Sequence, residues 1–469
     1  MNTERAALNS NTLGTHAIVI GGSLAGLLAA RVLSEYFAQV TVLERDHFPA
    51  PGQTRKGVPQ GRHSHGLLAG GFQAMETLFP GFGAALLEAG ALPFDAIGDA
   101  RYYQFGGYKA RFASGLRGLL MSRPLIETVV RQQMLALPNM RAIEGCDVRA
   151  LLADTERAPI RGVRFERSNA EETLLADVVV DASGRGSRSP AWLEALGYPR
   201  PEVEEIRIGM GYTTRIYRRK PHDLDGDLGA GIFSTPPHAK RCGFMLAIEG
   251  DRWTVSLGGW LGDHAPVDEQ GFLAFARSLP TPDIYDAIRQ AEPLSDGVVH
   301  KVPSNLRRRY ERLARFPDGY LVVGDALCSF NPIYGQGMTA AALEALTLRD
   351  CLNEHRQLGG LAGLSHGFFK RAANIVDTPW SMATGEDFRF PDVQGQRAPG
   401  TALLNRYMNT LHRVAGYDPV VCRAFFDVAH FLKPPASLFQ PTIMLRVLKG
   451  RLSNRHVPTQ PTPLPALGR

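Results

Sequence analysis

The chain predicts an α/β fold: a parallel sheet covered on both faces, interrupted by an antiparallel sheet and followed by a mostly helical C-terminal region. Three observations carry this expectation. Residues 16–46 and 319–352 both read as strand, tight turn and helix, although they stand far apart in the chain. Between them, from residue 200 to 300, the pattern changes to period-2 alternation, and beyond residue 365 apolar residues recur at helical spacing.

In the first of these stretches Ala17, Ile18, Val19 and Ile20 are apolar without alternation, which suits a parallel strand buried on both faces. Leu24, Leu28 and Val32 follow at helical spacing, and residues 40–43 form a second strand. Gly21 and Gly22 open the turn between them. Gly21 permits the sharp bend, Ser23 is small enough for backbone to approach a pyrophosphate, and Gly26 lets the helix pack close to the sheet. Leu24 and Ala25 lie in the first helical turn, whose bare N–H groups face the phosphates. Glu44, twenty-three residues after Gly21, ends the second strand with a carboxylate suited to ribose hydroxyls, and Arg45 adjoins it. That acid argues against a 2′-phosphate and for FAD or NAD.

Composition narrows the class. With 469 residues, 44% hydrophobic and 21% charged, the chain is of ordinary globular type. Its net charge of +6 comes with 44 Arg against 8 Lys, a skew of composition rather than a nucleic-acid surface. The cluster Arg307, Arg308, Arg309, Arg312 and Arg315 reads as a solvated helix face, so no nucleic-acid partner is expected. Five scattered cysteines without a Cys-x-x-Cys pair fit a reducing cytosol. No uncharged run reaches the about 18 residues of a spanning helix, and residues 1–15 lack the apolar core of a signal peptide. A cytoplasmic location follows as the expectation, with flexible ends at 1–15 and in the Pro-rich tail 457–469.

In chain order, residues 57–71 form a Gly-rich loop that contains Arg62, His63 and His65. Two histidines two apart lack a third ligand nearby, so no metal is expected. A loop at a flavin edge is the functional alternative, with Arg62 and His63 facing negative charge; a structural Gly-rich loop is the bland one. Residues 72–78 and 84–89 read as helical. Residues 102–105 and 108–112 flank Gly106-Gly107 as a hairpin. Ser122 caps a helix, placing Arg123 at its start to meet a phosphate or the adenosine side of a cofactor, with a merely exposed arginine as the bland alternative. Residues 148–152 and 162–165 read as short strands, and 174–181 as another parallel strand ending in Asp181 and the small-residue loop 182–188, with Gly184 within it.

Ile206, Ile208, Met210, Tyr212, Thr214 and Ile216 alternate with polar or small neighbours, and residues 244–248 and 253–260 add two strands. This sheet is expected to roof an apolar substrate cavity lined by Tyr102, Tyr212, Met245 and Trp260, with ordinary core packing as the alternative source of the same pattern. Strand 320–323 then ends in Gly324-Asp325, Pro332, Gly335, Gln336 and Gly337 shape a turn, and a long helix starts near Met338. Its positive end suits the pyrimidine half of a flavin, and Asp325 suits ribityl hydroxyls. Residues 438–451 are amphipathic, with packing on the body preferred to membrane contact.

The chain resembles the FAD-dependent monooxygenases of the para-hydroxybenzoate hydroxylase type. Gly21-Gly-Ser-Leu-Ala-Gly26 with Glu44 matches their first FAD fingerprint, residues 182–188 their middle loop, and Gly324-Asp-Ala326 through Pro332 and Gly337 their second FAD motif. Order and spacing agree over residues 16–355. Residues 55–65 look like a narrower branch of bacterial secondary-metabolism enzymes that includes polyether-type polyene epoxidases. Ser183 stands where the family carries aspartate, which leaves open whether NAD(P)H reduces the flavin directly or through a separate flavin reductase.

The resemblance implies a Rossmann-like FAD-binding domain of the glutathione-reductase type at 16–98, 120–200 and 301–360. It implies a β-sheet substrate domain at 99–119 and 201–300 and a helical region at 361–456. The implied activity inserts one oxygen atom from dioxygen into a small apolar or aromatic substrate, by epoxidation or hydroxylation, through a flavin C4a-hydroperoxide kept from water. No catalytic side chain beyond the flavin is required, with Arg62, His63 and Pro332 as flavin-edge candidates. The implied FAD contacts are Gly21–Gly26, Glu44, Arg45, Arg62, Arg123, Asp181, Gly184, Gly324, Asp325, Pro332 and Gly335–Met338. The competing readings are an FAD-linked reductase or dehydrogenase and a non-catalytic flavin-binding protein. A halogenase is disfavoured because Trp-x-Trp-x-Ile-Pro is absent.

Overall fold

A computed structural model describes residues 12–55, 57–453 and 456–462. The expected flexible start as far as residue 11, and the tail from residue 463, lie outside the described residues. Gly14 and Thr15, expected in that flexible start, already belong to the first strand, Gly14–Ile20, where Thr15 and His16 donate backbone N–H groups to Asp177 at 2.6 and 3.0 Å. The beginning of the Pro-rich tail is likewise pinned, because the Pro458 carbonyl accepts the Tyr108 N–H at 2.8 Å.

Five parallel strands form the first sheet in the order Tyr320–Val322, Val178–Asp181, Gly14–Ile20, Phe37–Glu44, Met140–Glu144. The uninterrupted apolar run at 17–20 explains its central place: a strand covered on both faces has no polar side to present. Helix Leu24–Leu33 packs against this strand and against the long helix Gly337–Leu358. The close fit depends on Gly26, where a Cβ would overlap the Gly21 carbonyl oxygen. At the carboxyl ends of these strands lie the turn at Gly21, Glu44, the loop after Asp181 and Gly324-Asp325, the edge at which open α/β sheets bind ligands.

The second large sheet has eight strands. Its order is Cys328–Ser329, Val298–Arg308, Val203–Arg218, Arg252–Gly259, Arg241–Ile248, Gly229–Ile232, Ala100–Gln104, Gly107–Tyr108. The hairpin at Gly106-Gly107 is present, but its second arm is only Gly107–Tyr108. Beyond residue 364 come helices Leu364–Asp387, Thr401–Val414, Pro419–Ala429 and Pro441–Leu452.

Three expectations are corrected. The single strand at 174–181 is two: Ala170–Leu175 pairs antiparallel with Ile160–Arg167, and Val178–Asp181 enters the parallel sheet. The break falls at Asp177, whose carboxylate is drawn to the first strand. The boundary at residue 301 falls inside strand Val298–Arg308, which belongs to the eight-stranded sheet. The arginine cluster is not one solvated helix face: Arg312 and Arg315 are exposed, but the other three are held by the protein. Arg307 is buried against Asp377 at 2.5 Å, Arg309 pairs with Glu204 at 2.7 Å, and Arg308 donates to the carbonyls of Ala326 and Arg185, each at 2.8 Å. Three consecutive arginines carry no periodicity that would tell a strand end from a helix face.

Candidate active site

A cavity of about 1000 Å³ begins at the carboxyl ends of the parallel strands and extends beneath the eight-stranded sheet to the C-terminal helices. The end at the parallel sheet, where the sequence motif predicts a nucleotide and which is called the nucleotide end for that reason, is lined by Gly21, Ser23, Leu24, Ala25, Glu44, Arg45 and Arg123. Gly22 and Gly26 do not reach the wall; Gly22 instead donates its N–H to Glu44 Oε2 at 2.7 Å. Glu44 also meets Arg55 Nη1 at 2.7 Å and accepts the Asp46 N–H at 2.9 Å, so its carboxylate is held rigidly. Arg123 donates to Ser23 Oγ at 3.2 Å and pairs with Glu127 at 3.4 Å, while burial pulls its pKa below the ordinary arginine value. Ser23 places no side-chain cap on its helix, so the first N–H groups of Leu24–Leu33 are left for a ligand.

The middle loop contributes Ser183, Gly184, Arg185, Gly186 and Arg188 to the wall. Asp181 does not, which corrects its assignment to the cofactor. It is fully buried, and its carboxylate is spent on the Ser183 N–H at 2.8 Å, Ser187 Oγ at 2.5 Å and the Ser189 hydroxyl. It shapes the loop from behind. Gly324 and Asp325 do reach the cavity, and the Gly324 N–H is fixed by Glu344 Oε2 at 2.7 Å. Burial pushes Glu344 up to about 7. Asp325 is accessible from the cavity yet surrounded by protein, which raises its pKa against the opposing pull of Arg185 and Arg123.

Between the two ends, His65, Gly66 and Leu67 line the cavity together with Pro332, Gly335, Gln336, Gly337 and Met338. Gly335 has φ +66°, a left-handed turn that a side chain would strain. Arg62 and His63 are corrected. Arg62 is exposed and donates to Thr54 Oγ1 at 3.3 Å, and His63 lies behind the wall, with Nδ1 2.7 Å from Thr214 Oγ1 and its ring edge-on to Tyr212. Burial lowers the His63 pKa to about 3, so the ring is neutral. Its neighbour two residues on, His65, is the one that faces the cavity.

At the apolar end, Tyr102 and Tyr212 line the wall as expected, beside Phe233, Phe244, Leu246, Phe425 and Phe426. Met245 does not line it, because Phe244 and Leu246 take the cavity side of the strand and leave Met245 in the core on the other face. Trp260 is also displaced. Its indole N–H donates to Asp387 Oδ1 at 2.8 Å, in a buried knot where Asp387 also accepts from Asn305 and Asn331, both at 2.8 Å. Burial pushes Asp387 up to about 6. This knot seats the turn that begins at Asn331 and Pro332.

Arg55, Glu127, Arg185, Arg308 and Glu344 organise the nucleotide end, although none is a site candidate from the sequence. Glu344 alone carried a signal, as an acid inside the apolar helical run 340–346. Lys109 was another omission; it lines the apolar end and is only 3% exposed.

The wall suits FAD on observations of this chain. The space above Gly184, Gly186 and Gly337 is free of protein within 4 Å of a notional Cβ, and Asp325 presents its acceptor to the cavity. The Gln336 Oε1 is buried without a partner. The N-terminus of Gly337–Leu358 carries no side-chain cap. A long channel with uncapped helix ends at one side and aromatic walls at the other matches a molecule with a diphosphate and a flat ring.

Residues 14–210 match the FAD binding domain family. Protein Rv3254 of Mycobacterium tuberculosis is 35% identical over 430 residues, covering 87% of this chain and 88% of that protein. Kynurenine 3-monooxygenase of Salinispora tropica is 25% identical over 359 residues, covering 72% of each. Among solved structures, p-nitrophenol 4-monooxygenase PnpA from Pseudomonas putida superposes with a TM-score of 0.61 at 16% identity, covering 90% of this chain and 99% of that one.

Proposed function

This chain belongs to the FAD-dependent monooxygenases of the para-hydroxybenzoate hydroxylase type, and from that premise we propose that it inserts one oxygen atom of dioxygen into a small apolar or aromatic molecule, by epoxidation or hydroxylation, in bacterial secondary metabolism. The observation that carries the proposal is the continuity of the cavity, from the turn at Gly21 past Asp325 to the aromatic wall of Tyr102, Phe425 and Phe426.

Each part of the wall has a task in this reading. The N–H groups after Ser23, with Arg123, take the diphosphate, Glu44 takes ribose hydroxyls and Asp325 takes ribityl hydroxyls. Pro332 and Gly335–Met338 hold the ring, with the positive end of helix Gly337–Leu358 stabilising negative charge on it. FAD supplies the redox and oxygen chemistry, with NAD(P)H as the source of two electrons, directly or through a flavin reductase. One oxygen atom then enters the substrate and the other leaves as water. The aromatic and aliphatic walls exclude water from the reacting centre and orient the substrate. A cytoplasmic location accords with the described residues, none of whose helices is long and apolar enough to cross a membrane.

Asp325→Ala tests the assignment of the cofactor. It is expected to give folded protein without yellow colour, and full flavin retention would remove Asp325 from the site. The oxygenase reading is tested with isotopically labelled dioxygen. One labelled atom in the product supports it, whereas turnover without label supports the dehydrogenase alternative.

A further inference from the structure

Lys109 follows the short strand Gly107–Tyr108 and points its stem inward between helices Thr401–Val414 and Pro419–Ala429. Its ammonium donates to the His412 carbonyl at 2.8 Å and lies 3.0 Å from His412 Nδ1. The face of Phe425 is 5.7 Å away. No carboxylate of the described residues lies within ion-pair distance of it. The nearest acid on the same wall, Glu386, is already committed to Arg389 at 2.8 Å. His412 offers no negative charge either: burial and the neighbouring ammonium hold its pKa well below the ordinary value, so it stays neutral. Its ring is clamped by Phe105, stacked at 4.8 Å, and by Phe425, edge-on at 4.7 Å.

A buried cation with no counter-ion is costly. Two of its three N–H bonds are accounted for by His412, and Lys109 and His412 both line the cavity. The buried Gln104 amide lines the same wall. The Cys422 thiol, kept neutral by burial, also neighbours the ammonium, and Tyr102, Phe425 and Phe426 line the same end of the cavity. A single positive group set in an aromatic wall is how a pocket fixes the orientation of a ligand that is apolar apart from one charged end.

We propose that Lys109, positioned by His412, is the receptor for an organic oxyanion, so that the substrate is an aromatic or apolar acid whose carboxylate or ionised hydroxyl docks at the end of the cavity remote from the nucleotide. The proposal rests on the oxygenase reading for the word substrate, but the anion site itself does not require it. Lysine, as a compact point charge, selects charge at this end rather than the bidentate geometry an arginine would impose.

The test is calorimetric titration of the holoprotein with phenylacetate and with its neutral isostere phenylacetamide, alongside the Lys109→Met and Lys109→Gln variants. Wild-type protein is expected to bind phenylacetate about tenfold more tightly than the amide, the size of one charge-assisted hydrogen bond. Both variants are expected to lose that preference while binding phenylacetamide and flavin as before. Equal binding of acid and amide by the wild type, no saturable binding of the acid, or a preference that survives in both variants would each overturn the proposal. Flavin content is read separately from the visible spectrum. Protein that binds the acid selectively but takes up no flavin would therefore overturn the oxygenase reading and leave the anion site standing.

Discussion

At the nucleotide end of the cavity Arg55 lies 2.7 Å from Glu44 and 3.2 Å from Glu127, and Arg123 shares the same glutamate. At the apolar end Lys109 meets a neutral imidazole, a carbonyl and an aromatic face. Both ends bury positive charge, yet only the first compensates it from within the chain. The difference teaches which charges are scaffold and which are recognition. A paired guanidinium is spent on holding the turn and the strand end in place, whereas an unpaired ammonium is stored instability that a bound anion can relieve.

The largest effect is expected where the nucleotide end has no slack. Gly26→Val drives a side chain into the Gly21 carbonyl oxygen, and should cost upwards of ~3 kcal/mol through overpacking, seen as loss of the thermal transition or of soluble protein. Gly337→Ala sharpens the contrast, because a Cβ there meets no protein atom within 4 Å. It should leave apoprotein stability unchanged or raise it by up to ~1 kcal/mol, while lowering flavin occupancy.

The next effect separates compensated from uncompensated charge. Burial lowers the Lys109 pKa from 10.5 to about 7, so the folded chain binds fewer protons than the unfolded chain between those values. Stability is therefore lost as pH falls from 10.5 through 7, and the penalty is greatest below 7. Lys109→Met should raise stability by about 2 kcal/mol near pH 6, and the gain should vanish near pH 10. Melting curves at the two values check it. A gain that is independent of pH would break the comparison.

A smaller loss is expected at the knot that joins the two ends. Asp387→Asn swaps one acceptor for a donor among Trp260, Asn305 and Asn331, at a cost of about 1–2 kcal/mol, measured by denaturant unfolding. The smallest effect concerns strand phase. Met245→Leu should change stability by less than ~1.5 kcal/mol and leave ligand affinity alone, whereas Phe244→Leu next to it should alter affinity at the apolar end. The reverse outcome would place the wrong face of that strand on the cavity.

Local pattern was enough wherever function follows from backbone shape. The turn at Gly21, the strand ending at Glu44, the turn from Pro332 to Gly337 and the helix after it are written in runs of small and apolar residues, and the structure brings all of them to one cavity. Phase was harder to read. Period-2 alternation marks two faces without saying which one faces the cavity, which is why Tyr212 reaches the wall and Met245 and Trp260 do not. Polar residues were harder still. Asp181 and His63 have the chemistry of ligand contacts, but the Asp181 carboxylate is spent behind the wall and His63 is tied there through Nδ1 to Thr214.

The sequence by itself determined the α/β grammar, the order of the motifs and the nucleotide end of the site, because a tight turn, a buried parallel strand and a helix start are each specified within a few neighbouring residues. Only the tertiary structure decided the apolar end. Lys109 and His412 are 303 residues apart in the chain, and whether a lysine is paired or stranded depends on every element packed around it rather than on the residues beside it.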